Sequence, residues 1–585
     1  MRRAVAAGAL ALLSLACHKT SGVSFSVLEG DFVYSMLAFS PIAASAQGYH
    51  SHNGKDFDTA LDDVSRSAVD ARRSYLSVFH LRLAEVNQGS LSPEDRADYD
   101  TIQDLIAYEL FELDIAQSWR HNPTIYVEAI GSALFNPYVL NYAAPAERAR
   151  HIIARLEKLP AFLDQANRNL SAAPAVWTKV ARQENQGNIE LVDKTLRSFV
   201  PDDQRAAYDR AATTALVALK SFDAWLGDTL PARTRDVPDW RLGEANYKTK
   251  FRFALGTDQS PDQVLSAAEA DLKRVRGQMH TLAKQILLAR GKTSGSDEGA
   301  DIAAALALVA ERSSTVATYL DDARGDLAEA RSFAEQKHLL TLPGRENLQV
   351  IETPAFLRGT YAVGGFNPAP ALQPELGAFY WITPIPTAWE KSRIESKLRE
   401  YNYYNLKLLT IHEAMPGHYV QFEFANDVQP KTRRVLRAVW GNTPYIEGWA
   451  QYITQVMLDR GFLGGAPELR LTFLKQELRV IANAIMDIRL QTNRMTEQQA
   501  MDLMEKDTFQ EHEEAIAKLQ RAQLSSAQLP AYFVGWRDWR RVRAQYEKAK
   551  GSEFREQAFH DSALKEGAVP LPVLYRLLTG KELER

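Results

Sequence analysis

Residues 410–421 read Thr-Ile-His-Glu-Ala-Met-Pro-Gly-His-Tyr-Val-Gln and place His412, Glu413 and His418 within seven positions. A further carboxylate, Glu447, follows in the segment Tyr-Ile-Glu-Gly-Trp-Ala at residues 445–450, which has a helical pattern. Two imidazoles and one carboxylate can hold a zinc ion and leave a fourth coordination position open for water. We therefore expect His412, His418 and Glu447 to bind one Zn²⁺ per chain, with Glu413 as the general base.

The spacing of the two histidines departs from the common His-Glu-x-x-His arrangement, in which they lie four residues apart on one helix face. His418 follows His412 by six residues, and an undisturbed helix would direct it elsewhere. Pro416 and Gly417 lie between them and predict a broken or bulged helix that returns His418 towards His412. The alternative is a helix that ends at Met415 and leaves His418 as an ordinary polar residue of the next loop.

Glu447 precedes Trp449 and Tyr452 on an apolar helical segment. Buried carboxylates are rare unless they are paired or bind a metal, and this favours a ligand role for Glu447. The alternative is a charge near a helix N-terminus that the helix dipole stabilises.

Two longer patterns carry a resemblance to a known family. They are His412-Glu413-Ala414-x-Pro416-Gly417-His418-x-x-Gln421 and Glu447-Gly448-Trp449-Ala450-x-Tyr452, with support from Ser40-Pro41-Ile42-Ala43-Ala44, Gly48-Tyr49-His50 and Gln528-Leu529-x-x-Tyr532-Phe533-x-Gly535. These patterns resemble the bacterial domain-of-unknown-function 885 family, which is regarded as a set of secreted or lipid-anchored metallopeptidases similar to the gluzincins. The resemblance implies a mainly α, multi-helix gluzincin-like architecture with a small β-sheet beside the active-site helix.

Other residues on these patterns are weaker candidates. Gln421 and Tyr452 are expected to contact the ligands or the substrate. Asp487 falls on a family motif and could orient a ligand histidine, or it could form an internal ion pair with Arg489. Tyr532 could donate its hydroxyl to the oxyanion of a tetrahedral intermediate, or it could be a buried core tyrosine.

The chain departs from the family pattern at two places. The family often has Glu where this chain has Thr454, and often has His where this chain has Gln491. Neither change touches the expected ligands or base.

Three arginines are candidates for binding a carboxylate of the substrate through paired hydrogen bonds. They are Arg358, Arg489 and Arg521, and the sequence does not choose among them.

Composition places the chain among ordinary soluble globular proteins. It has 585 residues, 45% hydrophobic and 24% charged, with a formal net charge of −4. This charge gives no electrostatic footprint for nucleic acid, so no nucleic-acid partner is expected.

The first residues predict export. Arg2 and Arg3 precede an apolar run at residues 4–16, which is too short to span a bilayer as a helix. The run ends at Cys17, the only cysteine of the chain, and resembles a bacterial lipoprotein signal in which that cysteine is lipidated. The alternatives are an ordinary signal peptide cut nearby or an incidental cysteine. We expect a protein of the bacterial cell envelope, attached to a membrane through a lipid anchor at Cys17.

The rest of the chain divides by pattern into three regions. Residues 18–339 predict successive amphipathic helices, residues 340–390 a small β-sheet segment, and residues 391–585 a second helical region that carries the expected catalytic residues. Residues 348–353 and 378–383 predict strands. An edge strand there could hold an extended peptide by main-chain pairing; the alternative is a hairpin that only covers the core.

Together these expectations describe an exported zinc-dependent peptidase that hydrolyses short peptides, as an exopeptidase or oligopeptidase. Two alternatives remain open at this stage. One is a lipid-anchored binding or envelope protein with weakened catalysis, and the other is a metal-dependent hydrolase of non-peptide amides or esters.

Overall fold

The computed structural model describes residues 24–234, 236–358, 361 and 363–584. Helices dominate this part of the chain, and its two sheets have two and three strands, so the predicted mainly α class is confirmed. Within the same residues, no helix combines the length and apolar character needed to cross a membrane. The predicted signal at residues 1–17, with Cys17, lies outside the described residues.

The helices before the larger sheet form the N-terminal half of the structure. They are α1 (Phe25–Ala38), α2 (Pro41–Ala46), α3 (Arg66–Ala84), α4 (Pro93–Phe111), α5 (Ser118–His121), α6 (Thr124–Val139), α7 (Pro145–Asn169), α8 (Ala175–Glu190), α9 (Leu196–Phe199), α10 (Arg205–Ala224), α11 (Glu244–Leu255), α12 (Pro261–Ala289), α13 (Glu298–Ala310) and α14 (Tyr319–Gln336). A short antiparallel pair, β1 (Ser51–His52) and β2 (Lys55–Asp56), lies between α2 and α3. Helix α12 begins with a capping box between Ser260 and Gln263, where the sequence places a serine cap followed by proline.

The larger sheet has the strand order β3-β5-β4, with β3 (Leu348–Glu352), β4 (Gly364–Asn367) and β5 (Ala378–Ile382). β3 runs parallel to β5, and β4 runs antiparallel to it. The two predicted strands are therefore present, although they pair in parallel rather than as a hairpin. The third strand, β4, was not predicted, and it forms one edge of the sheet.

Eleven helices follow the sheet in the described residues. They are α15 (Lys391–Glu400), α16 (Tyr403–Glu413), α17 (His418–Ala425), α18 (Lys431–Val439), α19 (Thr443–Asp459), α20 (Pro467–Gln491), α21 (Glu497–Asp502), α22 (His512–Leu524), α23 (Pro530–Lys550), α24 (Glu556–Lys565) and α25 (Leu571–Thr579).

The central strand β5 joins two hydrophobic cores because successive side chains of a strand point to opposite faces. Tyr380 and Ile382 belong to the largest core, which also takes side chains from α11–α14, α16, α17 and α19–α25. Phe379 and Trp381 belong to a second core that is built mainly from α6–α10. The largest core therefore contains side chains from both sides of the predicted boundaries at residues 339 and 390. That these boundaries are domain limits stays a prediction.

Candidate metal centre

The helix that carries His412 and Glu413 ends at Glu413, and a new helix begins at His418. Between them the Met415 N–H donates to Thr410 O at 3.2 Å, and the Gly417 N–H donates to Ile411 O at 3.0 Å. The Met415–Pro416 peptide bond is cis. The predicted break in the helix is thus present, and His418 opens α17 instead of lying in a loop. The two imidazole rings meet edge to face with their centroids 4.7 Å apart.

Gly417 is required in this turn because it packs directly against the end of α16. An ideal Cβ at position 417 would lie 1.9 Å from the carbonyl oxygen of His412 and 2.3 Å from that of Ile411. Both neighbours are backbone atoms, which cannot move away as a flexible side chain can. The turn is also fixed from the other side, since the Trp449 indole N–H donates to the carbonyls of Pro416 and Gly417 at 3.1 and 3.2 Å.

Helix α19 carries Glu447 to the two histidines. It packs closely on α23, since a Cβ at Gly448 would lie 2.3 Å from the backbone carbon of Gly535. The N-terminus of α19 is capped by the Asn442 side chain, which accepts a hydrogen bond from the Tyr445 N–H. The Glu-Gly-Trp sequence therefore has a distinct role at each position: Glu447 faces the histidines, Gly448 permits the helix contact, and Trp449 holds the turn.

His412, His418 and Glu447 converge on one point. Glu447 Oε2 lies 3.5 Å from Nε2 of His412 and 3.3 Å from Nε2 of His418, and all three ligand atoms lie within 4.8 Å of one another. Ligand atoms placed about 2.0–2.2 Å from a tetrahedral zinc ion are roughly 3.3–3.6 Å apart. The two carboxylate–imidazole distances fall in that interval, so Glu447 is placed to share a zinc ion with each histidine.

The hydrogen bonding of the cluster supports the same fit. Glu447 Oε2 is buried and accepts no well-aligned hydrogen bond within the described part of the chain, although two imidazole nitrogens lie near it. Burial alone raises the pKa of the Glu447 carboxyl, but the two imidazoles outweigh burial and hold this pKa well below its usual range. Burial lowers the pKa of His418, whereas the Glu447 carboxylate raises it, and the net shift is upward. The carboxylate thus remains charged and available to a cation.

The cluster opens into a cavity of about 380 Å³. Glu413 lines this cavity beside His412, as a general base would have to. Tyr532 on α23 lines it too, with its ring stacked near the His412 ring at a centroid distance of 6.3 Å. Burial raises the pKa of the Tyr532 hydroxyl, so this group keeps its proton at neutral pH. Both predicted catalytic side chains therefore lie in the same cavity as the three candidate ligands.

The edge strand β4 forms another part of the cavity wall. Gly364, Gly365 and Phe366 line it, and the Phe366 ring stacks on the His418 ring at 6.4 Å. The Thr383 N–H donates to Val363 O, and the antiparallel pattern then directs the backbone N–H and C=O groups of Gly364 and Phe366 away from β5. Within the described residues, the sheet thus offers a strand edge without a backbone partner next to the metal-ligand cluster.

Three of the weaker candidates, described here and in the next paragraph, do not line this cavity. Tyr452 does not line this cavity; its hydroxyl donates to His560 Nε2 at 2.8 Å, because His560 Nδ1 donates to Leu339 O. Burial lowers the pKa of His560 to about 4, which keeps that ring neutral. Arg489 forms an ion pair with Glu269 and does not face the cavity.

Asp487 accepts hydrogen bonds from the Tyr247 hydroxyl at 2.6 Å and from the Ala527 N–H at 3.0 Å, rather than from a ligand histidine. Gln491, one turn later on α20, donates to Ser525 O at 3.0 Å. Both residues therefore fix the loop that leads into α23 and Tyr532. Burial raises the pKa of Asp487 to about 6.

The two remaining motif positions lie near the site. Gln421 is fully buried on α17, and its amide atoms have no hydrogen-bond partner among the described residues, so its contact with the site stays a prediction. Thr454, where the family often has Glu, lines the cavity, and its hydroxyl donates to Ala450 O at 2.7 Å.

Of the three candidate arginines, only Arg521 lines the cavity; Arg358 bonds Thr353 O and Glu352.

Sequence reasoning missed two cationic residues in the cavity wall, Arg479 on α20 and Lys518 on α22. Neither lies near a motif. The signal available for Lys518 is its spacing from Glu514 and Arg521, which places the three residues on one face of a helix.

Comparison with known proteins gives relatives of matching fold. A solved structure of a "putative lipoprotein of unknown function" from Shewanella oneidensis is 27% identical, with a TM-score of 0.77 over 95% of this chain and 100% of that chain. A solved structure of a "putative lipoprotein" from Colwellia psychrerythraea is 19% identical, with a TM-score of 0.77 over 96% of this chain and 99% of that chain. At this identity the match shows the fold alone. No curated protein matches the sequence. The profile described as "Bacterial protein of unknown function (DUF885)" matches residues 41–578, and the chain therefore belongs to the DUF885 family.

Proposed function

We propose that this protein is a zinc-dependent peptidase that hydrolyses short peptides. The observation that carries the proposal is the convergence of His412, His418 and Glu447 at zinc-ligand distances, with Glu413 in the same cavity. A general base beside a metal-ligand histidine is needed for hydrolysis and is not needed for binding alone. This favours an enzyme over a binding protein that keeps the fold with weakened catalysis.

When bound, zinc supplies an open coordination position, lowers the pKa of water towards about 7 and polarises a carbonyl group. The carboxylate of Glu413 accepts a proton from the attacking water and then delivers it to the leaving amine nitrogen. The Tyr532 hydroxyl donates a hydrogen bond to the oxygen of the attacked carbonyl as negative charge develops there. Water's oxygen ends on the new carboxyl group, and the peptide C–N bond is broken.

The edge of β4 can bind the peptide backbone. The groups of Gly364 and Phe366 that point away from β5 match the alternation of an extended chain. This pairing needs no particular substrate side chain. A cavity of about 380 Å³ admits a short peptide and excludes a folded protein.

We place the protein in the bacterial cell envelope, attached through a lipid at Cys17. The support is the sequence pattern at residues 1–17 and the description of the 27% identical Shewanella oneidensis protein as a "putative lipoprotein". The proposed partners are then a peptide substrate and a membrane surface.

The metal site is tested by measuring zinc in the purified mature protein. We expect about one zinc per chain in the wild type and its loss in both His418→Ala and Glu447→Ala, because each variant removes one of three protein ligands. His512→Ala is the matched control, since its side chain is 66% exposed and should leave the zinc content unchanged. Zinc retained by His418→Ala would exclude that residue as a ligand, and a wild type without zinc would contradict the proposal.

A substrate panel then tests the reaction. Short peptides should be cleaved by the zinc-loaded protein and not after chelation, with activity restored by added zinc. Cleavage of simple esters or non-peptide amides with no cleavage of peptides would favour the alternative hydrolase.

Tyr532→Phe should lower kcat by about 100-fold, with little change in KM or zinc content, because removal of one oxyanion donor has an effect of this order. Steady-state kinetics on the best peptide of the panel would measure it. Tyr546→Phe is the control, since Tyr546 packs on Phe554 and Phe559 and does not line the cavity. An unchanged kcat in Tyr532→Phe would assign Tyr532 to the core alone.

A further inference from the structure

One wall of the cavity is formed by α22, which presents Glu514, Lys518 and Arg521 on the same face because these residues are four and three positions apart. Lys518 is only 7% exposed. Within the described residues its ammonium group has no hydrogen bond or salt bridge, although buried lysines are rarely left without a partner. This wall therefore holds a buried amino group that faces the cavity without an ion-pair partner among the described residues.

Glu514, on the same helix, raises the pKa of Lys518, but two other cations also lie beside this carboxylate. Glu514 forms an ion pair with Arg479 and lies 3.7 Å from the Lys397 ammonium group. Burial, together with the positive charges of Arg479 and Arg521, lowers the pKa of Lys518 well below its usual range. An anion that enters the cavity would remove this electrostatic cost.

Arg521 lies beside Lys518 in the wall and next to the catalytic groups. Its Nη2 donates to the Tyr532 hydroxyl and to Gln528 Oε1, each at 3.3 Å. These acceptors are uncharged, so Arg521 also lacks a carboxylate partner among the described residues. Since the Tyr532 ring stacks near His412, an anion on Arg521 would lie close to the metal ligands.

We propose that Lys518 and Arg521 bind the C-terminal carboxylate of the peptide substrate, so that the protein cleaves within one or two residues of the C-terminus. This proposal rests on the proposed peptidase function. The Arg521 guanidinium and the Lys518 amine, whose protonated form a carboxylate would stabilise, are complementary to one carboxylate. Guanidinium groups bind carboxylates through paired hydrogen bonds. An extended residue spans at most about 3.6 Å, which limits how far the scissile bond can lie from a carboxylate held beside Tyr532.

The experiment compares N-acetyl-Ala-Ala-Ala with its C-terminal amide and with N-acetyl-Ala-Ala-Asp amide, whose only carboxylate is on a side chain. Cleavage is measured with the zinc-loaded wild type, and binding with zinc-loaded Glu413→Gln by calorimetry. We expect the free acid to exceed both amides by on the order of 100-fold in kcat/KM and in affinity, as for a charged hydrogen-bonded contact.

Lys518→Met should lower this acid-to-amide ratio, mainly through KM, and Arg521 should keep part of the preference. Its thermal midpoint should stay the same or rise, because an unpaired buried charge is replaced by an apolar chain of similar length. Lys391→Met is the matched control, since Lys391 is 90% exposed and does not line the cavity. A lowered midpoint with an unchanged ratio would assign Lys518 a structural role and overturn the proposal.

The outcomes separate the two proposals. Cleavage of acid and amides at equal rates, or preference for the aspartyl amide, overturns the C-terminal site and leaves the peptidase standing. Preferential binding of the free acid without cleavage by the zinc-loaded wild type supports the carboxylate site and overturns the peptidase. A protein that neither binds nor cleaves any of the three peptides overturns both.

Discussion

Replacing Glu413 by glutamine is expected to lower kcat/KM for peptide hydrolysis by about 1,000-fold, within the range measured for loss of a general base. Glutamine keeps the size and shape of the side chain but cannot accept the proton of water. Because Glu413 is not a ligand, the zinc content should remain that of the wild type. Steady-state kinetics and metal analysis on the same preparation would measure both quantities.

Glu346→Gln is the matched control for this change, since its side chain is 82% exposed and does not line the cavity. It should keep full activity. If Glu413→Gln retained more than about a tenth of the wild-type activity, another group would have to be the base. If it lost its zinc, Glu413 would have to support the ligands as well as the reaction.

Gly417→Ala is expected to have the largest effect on folding of the single changes considered. The added methyl group would lie 1.9 Å from the His412 carbonyl oxygen, and the two chain segments cannot separate without moving His412 or His418. We expect a loss of more than about 3 kcal/mol in the free energy of unfolding, together with a loss of zinc. Denaturant titration and metal analysis would measure the two effects.

Gly277→Ala provides the control for Gly417→Ala. Gly277 lies inside α12, is exposed, and has nothing within 4 Å of an added Cβ. Alanine there should be neutral or stabilise the protein by roughly 0.5–1 kcal/mol, because glycine is a poor helix former. A Gly417→Ala protein with wild-type stability and zinc content would show that the turn has room to adapt.

The local chemistry of the site could be predicted from the sequence because it depends on a few residue types at short spacing. Pro416 and Gly417 predicted the helix break, and the break is present. Glu447 was tied to the histidines only by its motif and its apolar helix. The strands at residues 348–353 and 378–383 were predicted from β-branched and aromatic runs, whereas β4 contains two glycines and gave no such signal.

Other positions depended on contacts between distant parts of the chain. In the sequence, the motif positions Asp487 and Tyr452 looked equivalent to the candidate ligands, but Asp487 bonds Tyr247 and Tyr452 bonds His560. Nothing in the neighbouring sequence distinguishes a polar side chain that faces a cavity from one that faces another helix. The contacts of α20 with α11 and of α19 with α24 decide this.

The sequence by itself determined the helical class, the identity of the candidate ligands and base, and the broken helix, since each follows from local residue types and spacing. Only the tertiary structure decided that Arg521, and not Arg358 or Arg489, faces the cavity. It also decided that Lys518 lies beside Arg521 with no ion-pair partner in the described part of the chain. The physical reason is that burial and charge pairing are properties of the packed surroundings. A lysine on a helix has the same sequence pattern whether it meets water, an aspartate or an empty cavity.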